Sequence, residues 1–161
     1  AILMLLAGTT LVVGAASGAK SALRPLEGLT ISQANASLPF QRIKRLADLE
    51  QILAQNPGKL AMLDFYADWC ASCKEMEHFT FTNTEVRTNL QDFILLQADV
   101  TANDADDQAL LKHFGLFGPP GIIFFDHQGQ ELQQHRVIGY QDSQQFLASL
   151  NSVKATHDNT Q

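Results

Sequence analysis

The sequence predicts an α/β fold in which a mixed central sheet is covered by helices on both faces. Three observations carry that prediction. Two compact apolar runs, residues 60–66 and 93–100, have the length and composition of strands buried on both sides. Segments with helical spacing or helix-capping residues lie around and between them. The order strand, helix, strand, helix, then a hairpin and a last helix, calls for a sheet with both parallel and antiparallel pairs.

Each element has its own local reason. Residues 40–44 read as a short edge strand. Leu46, Leu49, Ile52 and Leu53 form a one-sided apolar stripe, which predicts a helix over Leu46–Gln55 that Asn56-Pro57-Gly58 stops. Residues 60–66 then give the central strand. A helix opens near Cys70, breaks near residues 80–83 and resumes over residues 84–90. Residues 93–100 are the second buried strand. Asn103 and Asp104 can cap a helix that runs to about His113 and is closed by Gly115. Residues 122–125 are a third strand, Asp126-His127-Gln128-Gly129 a turn, and residues 132–138 a fourth strand. Asp142 or Ser143 caps the last helix, which is expected to end at Leu150.

Outside this block the composition changes. Residues 1–19 carry no charge, and as a helix they would span about 28 Å, close to a bilayer's hydrocarbon thickness. No basic segment precedes the run, as a signal peptide requires, and no polar face marks a soluble helix. The reading is a transmembrane helix or its end, within a chain cut from something longer. Lys20 and Arg24, just after it, point weakly the other way, because positive residues favour the cytoplasmic side. Residues 20–39 read as a linker, residues 40–152 as the folded domain and residues 153–161 as a polar, flexible tail. No repeat is present.

Seventeen acidic and 11 basic residues leave a net charge of −6, which excludes the basic face that nucleic-acid binding needs. The largest basic cluster, Arg42-Ile43-Lys44-Arg45, reads as a solvated turn. Hydrophobic residues make up 45% of the chain, so the core needs no covalent staple. That bears on the two cysteines, Cys70 and Cys73. A bridge across three positions closes a minimal loop and constrains the unfolded chain little. Chemistry is the better reason for the pair.

The CxxC falls where a strand ends and a helix begins. A helix N-terminus offers unpaired N–H groups and the positive end of a dipole, both of which favour a thiolate. Cys70, at the helix start, is expected to be the exposed attacker. Cys73, nearly one turn deeper on the same side, is expected to resolve the mixed disulfide. Lys74, at i+4 from Cys70, assists weakly. Glu77 is i+4 from Cys73 and shares its face, while Asp64 lies inside an apolar run. A buried acid there has a raised pKa and is suited to taking a proton from Cys73. The plainer readings are a structural Asp64 paired with a lysine, a solvated Glu77 and a core Trp69. As half of a zinc site the CxxC lacks a second pair, and His78, His113, His127, His135 and His157 are scattered without ligand spacing.

The string Asp64-Phe65-Tyr66-Ala67-Asp68-Trp69-Cys70-Ala71-Ser72-Cys73-Lys74 resembles the active-site strand and helix of the thioredoxin superfamily. Gly118-Pro119-Pro120-Gly121, followed by Ile122-Ile123-Phe124-Phe125, is similar to that family's cis-proline loop. Lys74-Glu75-Met76-Glu77, Thr80-Phe81-Thr82-Asn83, the stretch from Leu96 to Asp104 and Leu110-Leu111-Lys112-His113 narrow the likeness. They resemble the periplasmic domain of the membrane thiol:disulfide interchange family, over about residues 40–150. The resemblance implies a thioredoxin-like three-layer fold, Pro120 in the cis position and a loop whose backbone pairs with an extended substrate, so Trp69, Pro119 and Pro120 are expected to bind substrate. It also implies that Asp64 and Glu77 tune Cys70 and Cys73. Two residues depart from the pattern. Pro119 stands where the family has a bulkier residue with a backbone N–H, and Gly121 where it has threonine.

The implied function is a protein-disulfide reductase on the periplasmic face of the bacterial inner membrane, tethered by the N-terminal helix. It would take electrons from a membrane domain of the same or a partner chain and pass them to periplasmic thiol–disulfide proteins. The chemistry needs no metal, flavin or nicotinamide cofactor. An oxidase or isomerase would run the same chemistry in another direction, and a non-catalytic binding module would keep the fold without turnover.

Overall fold

The structure is a computed structural model and describes residues 37–158. The hydrophobic segment, nearly all of the linker and the last three residues lie outside the described residues. Among the described residues no helix is long and apolar enough to cross a membrane.

Five strands form one sheet in the order β1-β3-β2-β4-β5. They are β1 (Gln41–Ile43), β2 (Leu60–Tyr66), β3 (Phe93–Asp99), β4 (Gly121–Phe125) and β5 (Val137–Ile138). β1 and β2 both run parallel to β3, whereas β4 is antiparallel to β2 and β5. The helices are α1 (Leu46–Gln55), α2 (Ala71–Glu75), α3 (Thr84–Leu90), α4 (Ala105–His113) and α5 (Ser143–Asp158). The expected mixed sheet with helices is therefore observed.

Strand periodicity divides the core in two. Ala61, Leu63 and Phe65 of β2, Leu96 and Ala98 of β3, and Ile123 and Phe125 of β4 pack in one cluster with Leu49 of α1 and Leu110 of α4. The alternate residues, Leu60, Met62, Leu95, Ile122 and Phe124, join Val86 of α3 and Phe146 and Leu150 of α5. All seven residues of β2 are buried, which is why its sequence is a continuous apolar run and not an alternation.

The expected break near residues 80–83 is observed, with α3 resuming over Thr84–Leu90, while two later boundaries differ from expectation for physical reasons. Before that break α2 does not end in α geometry. It continues as a π-helical turn, Met76–Thr80, in which the Phe81 N–H reaches the Met76 carbonyl at 2.8 Å. The expected fourth strand over 132–138 shrinks to Val137–Ile138, because Gln133 and Gln134 are exposed and have no face to bury. A 3₁₀ turn, Gln133–His135, takes their place, with His135 held between the hydroxyls of Ser152 and Thr156. Finally, α5 runs to Asp158 and not to Leu150, so most of the supposed tail is helix. Val153 is fully buried and Lys154 pairs with Asp92 at 2.9 Å.

Candidate active site

β2 ends at Tyr66 and the chain turns through Ala67, Asp68 and Trp69 into α2. That turn is fastened to the loop after β3. The Val100 N–H donates to the Tyr66 carbonyl at 2.8 Å, the Asp68 N–H to Thr101 Oγ1 at 2.9 Å, and the Trp69 indole N–H to the Thr101 carbonyl at 3.2 Å. Trp69 remains 61% exposed, a rim residue and not a core one.

Cys70 is the N-cap of α2 in extended backbone, and its Sγ accepts the Cys73 N–H at 3.2 Å. Sulfur thus occupies the position where a capping oxygen usually meets an orphan helix N–H. Cys70 and Cys73 are joined as a disulfide, with their Cα atoms 5.3 Å apart. Cys73 Sγ lies 3.9 Å from the Phe65 carbonyl of β2. One expectation is corrected here. Cys70 is not exposed: it is 6% accessible against 5% for Cys73. The two sulfurs differ in their surroundings and not in residue exposure. Cys70 sits at the helix end beside the exposed Trp69, and Cys73 against the sheet.

A polar row crosses the sheet and ends on β2, the strand that leads into this pair. Arg42 on β1 is in register with Gln97 on β3, and Gln97 with Asp64 on β2. The Gln97 amide donates to Asp64 Oδ2 at 2.6 Å, and both side chains are buried. Among the described residues no lysine meets Asp64; its partner is the Gln97 amide. Burial is the main force on the Asp64 carboxyl and pushes it up to about 7. The Gln97 hydrogen bond and Arg42 oppose that rise, and the nearby Glu77 carboxylate adds to it. Glu77 itself is half-buried in the π turn. Tyr66 is likewise pushed up to about 12, first by burial, then by its hydrogen bond to Asp68, with Glu77 contributing.

Pro120 follows a cis peptide bond after Pro119. The next residue, Gly121, pairs with Phe65 across β2 and β4, which puts the loop at the same end of β2 as the cysteines. Space explains the glycine, since a Cβ there would come within 2.9 Å of Leu116 Cδ1. Phe117, in the same loop, is fully exposed. The structure therefore brings Asp64, Trp69, Cys70, Cys73, Glu77, Pro119 and Pro120 to one end of the sheet. Sequence reasoning missed Gln97, Arg42 and Thr101. The signal available for Gln97 was a lone amide inside the apolar run 93–100. Thr101 offered none. Among the described residues no group of His, Cys, Asp and Glu side chains could hold a metal.

Comparison with known proteins agrees with this arrangement. The thiol:disulfide interchange protein DsbD of Ralstonia nicotianae is 48% identical over 162 residues, an alignment covering 96% of this chain and 26% of that protein. DsbD of Escherichia coli K12 is 50% identical over 133 residues, covering 80% of this chain and 24% of that one. The chain thus spans about a quarter of the length of these curated relatives. Among solved structures, the oxidised C-terminal domain of Neisseria meningitidis DsbD is 39% identical, with a TM-score of 0.57, and covers 66% of this chain and 90% of that one. A thioredoxin-like domain model matches residues 47–154, and the chain belongs to that thioredoxin-like family.

Proposed function

We propose that this domain is a protein-disulfide reductase that exchanges electrons through Cys70 and Cys73. The observation that carries the reading is the Cys70–Cys73 disulfide, with Cys70 Sγ capping a helix N-terminus just after the strand that holds the buried Asp64. In the reduced protein the Cys70 thiolate attacks one sulfur of a partner disulfide. That S–S bond breaks, a mixed disulfide forms and one partner thiolate leaves. Cys73 then gives its proton to the Asp64 carboxylate, and its thiolate attacks Cys70 Sγ and releases the second partner thiolate. The partner gains two electrons and the domain ends with its own disulfide, the state seen here. With a carboxyl titrating at about 7, Asp64 is populated in both forms near neutrality and can take and return that proton. Glu77 adjusts its titration, while Trp69 and the Pro119-Pro120 loop receive the partner's extended segment. Pro119 offers it a carbonyl but no N–H.

The likeness to DsbD supports the direction and the setting. The donor would be a membrane domain of the same or a partner chain, the acceptors periplasmic thiol–disulfide proteins, and the location the periplasmic face of the inner membrane. Insulin reduction tests the chemistry. The Cys70→Ser variant should lose turnover, and Cys73→Ala should stop at a covalent mixed disulfide visible on a non-reducing gel. Unchanged turnover in both variants removes the reading.

A further inference from the structure

The threonines of the α2–α3 region use their hydroxyls in two ways. Thr82 and Thr88 follow the usual helical habit and donate to the carbonyl four residues back, His78 at 2.7 Å and Thr84 at 2.9 Å. Thr80 does not. It closes the π turn that carries Glu77, its side chain is fully buried, and its hydroxyl leaves the helix to donate to the Gln141 carbonyl at 2.6 Å. Gln141 lies just before α5. Two residues earlier, the Gly139 N–H donates to the Pro120 carbonyl at 3.0 Å. One short path of hydrogen bonds and chain therefore joins the Glu77 turn to the cis-proline loop.

The geometry points to Thr80 as a positioning residue: its bond to Gln141 fixes the π turn so that the Glu77 carboxylate stands beside Asp64. A π turn makes poorer hydrogen bonds than an α-helix and persists where tertiary contacts hold it, which is also why such turns gather at functional sites. Here the Thr80 anchor supplies that hold. Without the hydroxyl, the segment can relax toward α geometry, and each residue after Met76 turns about the helix axis. Glu77 is the first charged side chain to move. The groups facing Asp64 are then Gln97 from β3, Arg42 from β1 and Glu77 from the π turn, with the apolar Ile122 on the β4 side. Only the Glu77 arm depends on Thr80.

This deepens the proposed reductase reading, but the test does not depend on it. In the oxidised full chain, where the cysteines do not titrate, the Asp64 side-chain carboxyl is followed by carbon NMR against pH. Relative to the parent, the Asp64 midpoint should fall in Thr80→Val, because a negative neighbour withdraws, and stay in place in Thr80→Ser, which keeps the donor. In a Glu77→Gln background, adding Thr80→Val should move it no further. An unmoved midpoint in folded Thr80→Val overturns the inference, and so does a further fall in the double variant. If Thr80→Val does not fold, Thr80→Ala is read by the same criteria. Failure of the reductase reading shows separately, as unchanged insulin reduction in Cys70→Ser and Cys73→Ala.

Discussion

Two aspartates, Asp64 near the C-terminal end of β2 and Asp107 in the first turn of α4, are 4% and 2% exposed, and their surroundings are opposite. Asp107 receives everything a buried carboxylate needs. The Lys44 ammonium bonds to it, the Asp104 N–H donates to it at 3.1 Å, and it sits where the helix dipole favours negative charge. The same Lys44 reaches Asp104 at 2.9 Å and holds that carboxyl below its ordinary range, while its own pKa is raised, first by the bond to Asp107. Asp64 receives one amide and faces a second carboxylate. Burial with a counter-charge makes a brace. Burial without one makes a group whose proton comes and goes near pH 7. The contrast is the ground on which Asp64, and not Asp107, is proposed as the proton carrier.

The sharpest way to break the contrast is to remove the ionisable proton at Asp64. Its folded-state value of about 7 lies above the ordinary 3.8, so between those values the folded chain holds a proton that the unfolded chain has lost. Stability is fullest below about pH 4, declines as the pH rises to 7 and stays low above it. Asp64→Asn, whose carbonyl can still accept from Gln97, should therefore gain up to about 4 kcal/mol at pH 8 and almost nothing at pH 4, read by urea melts at both. An equal effect at both pH values would mean that Asp64 is as well compensated as Asp107.

The second effect should have the opposite sign. Lys44→Met leaves Asp107 buried without its cation. The loss should be about 2 kcal/mol, less than for a fully buried pair because the Lys44 side chain is 40% exposed. Urea melts of parent and variant at neutral pH read the loss, and an unchanged midpoint would mean that Lys44 does not brace Asp107. The smallest expected effect comes from Gln97→Leu. The amide holds the Asp64 pKa down, so deleting it should raise the NMR midpoint above 7, by less than about one unit. A fall in the midpoint would show that the amide favours the neutral acid.

What could be read in advance followed local physics. The continuous apolar run fixed β2 to the residue, and the stripe at Leu46, Leu49, Ile52 and Leu53 did the same for α1. The cysteine pair and the out-of-place Asp64 stood out because their residue types conflict with a purely structural role. The misses all depend on partners distant in sequence. Asp64 and Asp107 cannot be told apart locally, because the cation for one arrives from 63 residues away. The π turn is held from Gln141, and the helical end of α5 from Asp92 and the second core. Cys70, expected at the surface, is buried in the first core cluster and bonded to Cys73.

The way β2 is paired has a consequence for the newly made chain. Its parallel partner is β3 and its antiparallel partner β4, so the strand that delivers the sulfur pair is completed only when residues near 125 have emerged. The site therefore rests on pairings between residues far apart in the chain, the kind of contact that forms slowly because its loops must close first.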